Sequence, residues 1–151
     1  LLTKKWKRKR QQTNEIIFLG GNLSELKIIE EEAEIELIKK IKQQFPDFVF
    51  KYSAHRRESS SKLMKIKYQL NIKVYRPSNP IEIEILDKEE LPTIVISFFS
   101  TALETLSIIC PEIKFYAFRI PNTMLGEKYK KEIITNYDSL SELGNICLIY
   151  P

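Results

Sequence analysis

The pattern of hydrophobic and polar positions divides the chain into segments with two different periods. From Asn22 to Phe45, apolar residues recur three and four positions apart, which predicts an amphipathic helix that begins at Asn22. After Pro46 the period becomes two, with aromatic side chains on one side of residues 48–52. The first half of the chain therefore predicts a long helix followed by a strand.

The clearest alternation covers Leu63–Arg76 and Ile81–Leu86, which are separated by the turn sequence RPSNP. In the first segment every second residue from Met64 to Val74 is apolar, and the residues between them are polar or basic. In the second segment Glu82 and Glu84 alternate with isoleucines. Together the two segments predict a β-hairpin with a charged outer face.

The rest of the chain predicts shorter elements in the order strand, helix, strand, helix, strand. Their predicted positions are Thr93–Phe99, a helix from the capping box of Thr101 and Glu104 to Pro111, Lys114–Ile120, Leu125–Tyr137 and Asn145–Pro151. Strands joined by tight turns favour an antiparallel or mixed sheet, so the predicted fold class is α+β, a single domain with two main helices packed on the sheet. The predicted division is a basic N-terminal arm, residues 1–14, and a globular domain, residues 15–151.

Positive charge is concentrated near the start of the chain. Lys4–Arg10 supplies six positive charges to a chain whose formal net charge is +4, so the remainder is mildly acidic. This contrast predicts that the arm contacts nucleic acid or an acidic partner. The predicted contact residues are Lys4, Lys5, Trp6, Lys7, Arg8, Lys9 and Arg10. As an alternative, the KRKR segment at Lys7–Arg10 could be only the import signal of a nuclear adaptor.

Two further groups of basic residues are secondary candidates for anion binding. Lys65, Lys67 and Lys73 fall on the polar face of the predicted hairpin, where they could follow a phosphate backbone. The single histidine, His55, precedes Arg56 and Arg57 in a polar loop that could hold an anion or supply a general base.

Motifs that carry catalysis are not recognisable in the sequence. Only four glycines are present, without a phosphate-binding or dinucleotide motif, and Cys110 and Cys147 lie in apolar runs that predict buried thiols. The apolar stretch Leu91–Cys110 contains Glu104 and several hydroxyl residues, which argues against a membrane span. The expectation is therefore no catalytic residue, no metal, no cofactor and no membrane contact.

The leading functional hypothesis is a non-catalytic subunit or interaction module of a larger intracellular assembly. Its globular domain would dock on protein subunits, and its arm would bind DNA, RNA or an acidic partner. The expected location is the nucleus, with the mitochondrion as the alternative because the sequence lacks an initial Met and its first fourteen residues contain no acid.

The alternative hypothesis is a metal-dependent nuclease. The predicted order of helices and strands is similar to the restriction-endonuclease-like core, in which carboxylates near strand ends hold a divalent metal beside a lysine. The candidate residues implied by this resemblance are Asp47, Glu82, Glu84, Glu112 and Lys114.

Overall fold

Strands and helices alternate along almost the whole chain in a computed structural model, which describes residues 9–151. The strands are β1 (Glu15–Leu19), β2 (Val49–Ser53), β3 (Lys73–Tyr75), β4 (Ile94–Ser97), β5 (Lys114–Phe118) and β6 (Ile146–Ile149). The helices are α1 (Glu31–Gln43), α2 (Ser60–Leu70), α3 (Ile81–Asp87), α4 (Thr101–Ile109) and α5 (Glu127–Ser141), with a short 3-10 turn at Asn122–Met124. The fold class is therefore α/β.

All six strands form one parallel sheet in the order β3-β2-β1-β4-β5-β6. Ile16 in β1 lies opposite Phe50 of β2 on one side and opposite Ile94 of β4 on the other. This is the order of a doubly wound sheet, in which right-handed connections place α1 and α2 on one face and the later helices on the other. After β1 the next strands, β2 and β3, are added on one side of the sheet, and after β4 the next strands, β5 and β6, are added on the other side. The strand order therefore reverses between β1 and β4.

The predicted α+β class with an antiparallel or mixed sheet and two main helices is wrong, mainly because the predicted hairpin does not form. Its first segment is mostly α2, and its second segment is α3. Ile66 and Leu70 are four positions apart, so they fit both the alternation of a strand and the period of a helix. Together with Leu63 they form the buried side of the helix. The residues that only a strand would bury, Met64 and Tyr68, are exposed.

The first helix also begins later than predicted. Residues 22–28 form consecutive turns, in which the Leu26 N–H bonds Asn22 O at 3.1 Å and the Ile28 N–H bonds Leu23 O at 2.9 Å. Lys27 has a φ of 59°, a left-handed conformation that cannot continue a right-handed helix. The helix restarts at Glu31, which brings its acidic first turn near the partial positive charge of its amino end.

The central strand β1 was missed by the sequence analysis. Its residues Ile16, Ile17, Phe18 and Leu19 are all buried. A continuous apolar run of this kind is typical of a parallel strand that is covered on both faces. Its position at the switch in strand order places its carboxyl end at the middle of the sheet edge.

Several predictions for the second half of the chain are confirmed. The strand within Thr93–Phe99, the helix after it, the strand at Lys114 and the helix after Leu125 all form. The final strand lies at the edge of the sheet, so Cys147 is exposed, although a buried thiol was predicted. Among the helices of residues 9–151, none has both the length and the apolar character required to cross a membrane.

Most of the predicted basic contact, Lys4–Arg8, lies outside the described residues. Lys9 is exposed. Arg10 instead lies against the fold, where its guanidinium donates to the Leu86 carbonyl at 2.8 Å and the Lys88 carbonyl at 3.2 Å, at the end of α3. The Thr13 N–H bonds the Leu91 carbonyl at 2.8 Å, so contacts with the domain begin before residue 15. The division of the chain at residues 14 and 15 stays a prediction.

Candidate functional site

A cleft of about 580 Å³ opens at the carboxyl edge of the sheet. It is formed by the residues that directly follow β1, β2 and β3 and by the first residues of α4. The lining residues are Leu19, Gly20, Ser53, Ala54, His55, Arg56, Arg76, Pro77, Ser78, Asn79, Pro80, Ile81, Ser100, Thr101 and Ala102. In open parallel sheets the carboxyl edge at the switch in strand order is where ligands bind, and this cleft lies there.

The lining of the cleft contains basic residues. Three of its lining residues are His55, Arg56 and Arg76, and among the described residues that line it none is an aspartate or a glutamate. The amino end of α4 also borders the cleft and adds partial positive charge. Ser100 caps this helix, because its hydroxyl accepts the Ala102 N–H at 3.2 Å. These groups favour a ligand that carries negative charge.

The Arg76 guanidinium is hydrogen-bonded to the backbone of the protein. It donates to the carbonyl oxygens of His55 at 3.2 Å, Arg56 at 3.3 Å and Glu58 at 2.7 Å. These three carbonyls belong to the loop between β2 and α2. Arg76 therefore fixes that loop, and Arg56 is the cationic side chain of the cleft that the loop presents to a ligand.

His55 is held as a neutral hydrogen-bond donor. Its Nδ1 accepts the N–H of Arg57 at 3.1 Å, so the proton of the neutral ring is on Nε2. Burial lowers the pKa of the His55 imidazole below its usual range, and the charges of Arg56 and Arg57 lower it further. At neutral pH the imidazole is thus suited to donate a hydrogen bond to a ligand oxygen through Nε2.

A cluster of buried charges lies behind Gly20 and Gly21. The Lys62 ammonium, which is fully buried, is 2.9 Å from a Glu25 oxygen, 3.1 Å from a Glu34 oxygen and 3.0 Å from a Glu58 oxygen. It also donates to the Gly21 carbonyl at 3.0 Å. Because these partners come from the loops after β1 and β2 and from α1, one lysine of α2 joins all of these segments.

Three carboxylates around one ammonium leave excess negative charge in this cluster. Burial raises the pKa of Glu34 to about 7, although the charge of Lys62 opposes that shift. Burial likewise raises the pKa of Glu58, and Lys62 opposes it there too. Burial alone would lower the pKa of Lys62, but Glu34 and Glu58 outweigh this and raise it. Glu34 is therefore the carboxyl group that carries a proton over part of the neutral pH range.

The structure brings two of the predicted secondary candidates into the cleft, His55 and Arg56, with Arg57 beside them. The other three do not form one face. Lys65 and Lys67 lie on α2, where Lys65 is 2.6 Å from a Glu31 oxygen, and Lys73 lies in the edge strand β3.

The carboxylates of the nuclease hypothesis are scattered. Asp47 and Glu112 lie in turns that precede β2 and β5, and Glu82 and Glu84 lie on α3. Glu84 accepts the backbone N–H of Ser78 at 2.8 Å, which is a structural role. Within residues 9–151, histidine, cysteine, aspartate and glutamate side chains form no group of three that could hold a metal.

Three residues of the site were not selected by the sequence analysis as site residues, namely Gly20, Arg76 and Ser100. A signal for Gly20 was present, because a glycine pair directly follows the apolar run EIIFL. Recognising that run as a strand would have placed the pair at a strand-to-helix connection, where backbone groups reach ligands. Arg76 gave no such signal, because its three acceptors are backbone carbonyls 18 to 21 residues earlier in the chain.

The chain matches the model of a known family. The family model described as alpha-2,8-polysialyltransferase (POLYST) matches residues 2–119 of the 151. The match includes strands β1 to β5 and every residue that lines the cleft. Comparison with curated proteins gives no match.

This match overturns the functional prediction from sequence. The non-catalytic, nucleic-acid-associated subunit is wrong, because the matching family is a family of enzymes that transfer sugars. The expected nuclear location is also wrong, because such a family implies a Golgi or membrane-associated location. The prediction of no catalysis depended on short motifs, and the residues that line the cleft form none of them. The expected protein partners stay a prediction.

Proposed function

The chain belongs to the alpha-2,8-polysialyltransferase family, and on that premise we propose that it is a glycosyltransferase whose cleft binds the acidic sugar of its substrate. The linkage in the family description joins C2 of one sialic acid to the 8-hydroxyl oxygen of the next. Every sialic acid carries a carboxylate, so both the transferred sugar and the growing chain are anionic. An acid-free cleft that presents a histidine and an arginine suits such a ligand.

The transfer requires the 8-hydroxyl oxygen of the acceptor to attack C2 of an activated sialic acid. The bond from C2 to the leaving group breaks before or as the new bond forms, the leaving group keeps that electron pair, and the attacking hydroxyl gives its proton to a base. In this reaction the described residues of the cleft would hold and orient negative charge. The Arg56 guanidinium would pair with a sugar carboxylate, and His55 Nε2 would donate to a ligand oxygen.

The position of the cleft is the observation that supports this proposal most strongly. It lies at the switch in strand order, and its positive groups come from separate segments, the loop after β2 and the amino end of α4. The family description then supplies the class of anion that such a site would recognise.

A binding measurement with adjacent arginines tests the proposal. Arg56 lines the cleft, whereas its neighbour Arg57 is exposed and does not. We expect Arg56→Ala to weaken binding of an α2,8-linked sialic acid oligomer by about tenfold or more, because it removes a charge-assisted hydrogen bond. Arg57→Ala removes the same charge from the same loop, so its effect should stay within about twofold. Titration calorimetry at physiological ionic strength provides the measurement.

A neutral ligand controls for sugar recognition without charge. A neutral N-acetylglucosamine oligomer of equal length should bind more weakly to the wild-type protein and respond equally to both substitutions. Equal losses of sialic acid binding in Arg56→Ala and Arg57→Ala would contradict the proposal, because they would indicate general attraction of a polyanion. A transfer assay with an activated sialic acid donor then connects binding to catalysis.

A further inference from the structure

Glu58 is a buried carboxylate that uses both of its oxygens. Oε1 accepts the His55 backbone N–H at 2.8 Å. Oε2 accepts the Tyr52 hydroxyl at 2.8 Å and lies 3.0 Å from the Lys62 ammonium. One end of the carboxylate therefore belongs to the buried charge cluster, and the other end contacts the loop that lines the cleft.

The same loop is held from its other side by Arg76. Its guanidinium binds the carbonyls of residues 55, 56 and 58, whereas Glu58 binds the N–H of residue 55. The backbone on both sides of the His55 side chain is thus fixed by charged groups. Such a double restraint limits where the imidazole can lie.

From this geometry we propose that Glu58 is the positioning residue of the cleft, which, together with Arg76, fixes His55 and Arg56 in the arrangement that binds the substrate anion. This inference rests on the proposed function for the identity of the anion. The restraint itself is independent of that function. Glu58 acts through His55 and Arg56, and does not line the cleft.

A carboxylate fits this position better than an amide does, because both of its oxygens accept hydrogen bonds. A glutamine has one acceptor oxygen, whereas donors lie at both ends of Glu58, the His55 N–H at Oε1 and the Tyr52 hydroxyl with the Lys62 ammonium at Oε2. Because two donors lie at the Oε2 end, we expect the amide oxygen of Glu58→Gln to turn toward Lys62 and Tyr52 and its NH₂ group to meet the His55 N–H. Two donors then face each other, and the loop is released.

Glu34 provides a matched control for this substitution. It is also buried and also binds the Lys62 ammonium, with its two oxygens at 3.1 and 3.2 Å. Its hydrogen bonds to Lys62 do not involve the loop of His55. Glu34→Gln therefore makes the same chemical change in the same charge cluster, since it replaces one carboxylate oxygen with an NH₂ group. It leaves the hydrogen bond between Glu58 and the His55 N–H in place.

The experiment uses the fact that His55 is the single histidine of the chain. Nitrogen NMR of the imidazole in the whole protein reports which ring nitrogen is protonated and how the ring titrates. In the wild type and in Glu34→Gln we expect the Nε2–H form and a lowered pKa. In Glu58→Gln we expect a mixture of both protonated forms and a pKa that returns toward the ordinary value. Arg76→Gln, an exposed position, should move the signals in the same direction.

Binding of an α2,8-linked sialic acid oligomer completes the test. We expect Glu58→Gln and Arg76→Gln to lose about fivefold to tenfold in affinity, and Glu34→Gln to lose less than twofold. An unchanged imidazole spectrum in Arg76→Gln would overturn the proposal, even where Glu58→Gln fails to fold, and so would equal spectral changes in Glu34→Gln and Glu58→Gln. If the imidazole spectra of Glu58→Gln and Arg76→Gln change but their binding of the oligomer does not, the restraint on His55 stands and the proposed function is contradicted.

Discussion

Gly20 lies directly against Glu58. A Cβ built on Gly20 would overlap the Glu58 carboxylate and the hydroxyl of Tyr52. The end of the central strand, a core tyrosine and the loop of the cleft therefore meet at a point that has no space for a side chain. The backbone conformation of Gly20 does not require glycine, because its φ is not positive. Glycine is required there because the Glu58 and Tyr52 side chains approach its Cα so closely.

The first prediction follows from this contact. Gly20→Ala should lower the free energy of unfolding by about 1–3 kcal/mol, because buried neighbours must move to accept the methyl group. Gly21→Ala is the matched control, since a Cβ there meets only the flexible Leu23 side chain, at 3.4 Å. Urea denaturation of both variants provides the measurement. Equal stability of the two variants would show that the close approach at Gly20 is absent.

The second prediction concerns pH. Burial raises the pKa of Glu34 to about 7 in the folded protein, above the usual range of a glutamate, so the folded state binds this proton more tightly than the unfolded state. The resulting stabilisation is complete below about pH 4.5 and is lost as the pH rises through about 7. The stability of the wild type relative to Glu34→Gln should therefore fall between pH 5 and pH 8.

Glu36→Gln is the control for this pH dependence, because Glu36 is exposed on the same helix. Its stability relative to the wild type should change little over the same range. Chemical denaturation at several pH values measures all three proteins. A flat difference between the wild type and Glu34→Gln would show that Glu34 is not the group that takes up the proton.

The third prediction compares two lysines of α2 that both form ion pairs. Lys62→Met leaves buried carboxylates without their ammonium, so we expect a loss of about 3–5 kcal/mol in unfolding free energy. Lys65→Met breaks a pair with Glu31 that is partly exposed to solvent, and its thermal midpoint should change little. Thermal unfolding followed by circular dichroism separates the two. A similar midpoint for both variants would mean that the buried cluster does not stabilise the fold.

The fourth prediction distinguishes the observed helix from the hairpin that the sequence pattern favours. In the hairpin Met64 and Ile66 would share one buried face, but in α2 Ile66 is fully buried and Met64 is 53% exposed. Ile66→Ala should therefore cost about 2–5 kcal/mol, and Met64→Ala should have little effect. Denaturation of the two variants measures the difference. Comparable losses would favour the strand.

The sequence by itself determined the local elements whose apolar residues have one clear period and clear ends. The helix at Thr101–Ile109 ends before Pro111 as predicted, although its cap is Ser100 and not the predicted Thr101, and the strand at Lys114–Phe118 ends before Pro121. These signals are local, since caps, prolines and apolar spacing act within a few residues. They fixed most of the second half of the chain.

Only the tertiary structure decided between helix and strand for residues 63–70. Their alternating pattern fits both, and the choice depends on which residues the sheet can cover. Burial of Leu63, Ile66 and Leu70 against the fold favours the helix. Once those residues form a crossover helix, neighbouring strands must run parallel, which changes the fold class.

Local sequence patterns likewise could not predict the whole candidate site. The sequence marked His55 and Arg56 as a basic loop, but the groups that orient them are distant along the chain or come from backbone. Arg76 contacts carbonyls 18 to 21 residues away, and Lys62 contacts Glu34 and Glu25 28 and 37 residues away. Parallel strands bring their carboxyl ends to one edge whatever their separation in sequence, and that edge is where these residues meet.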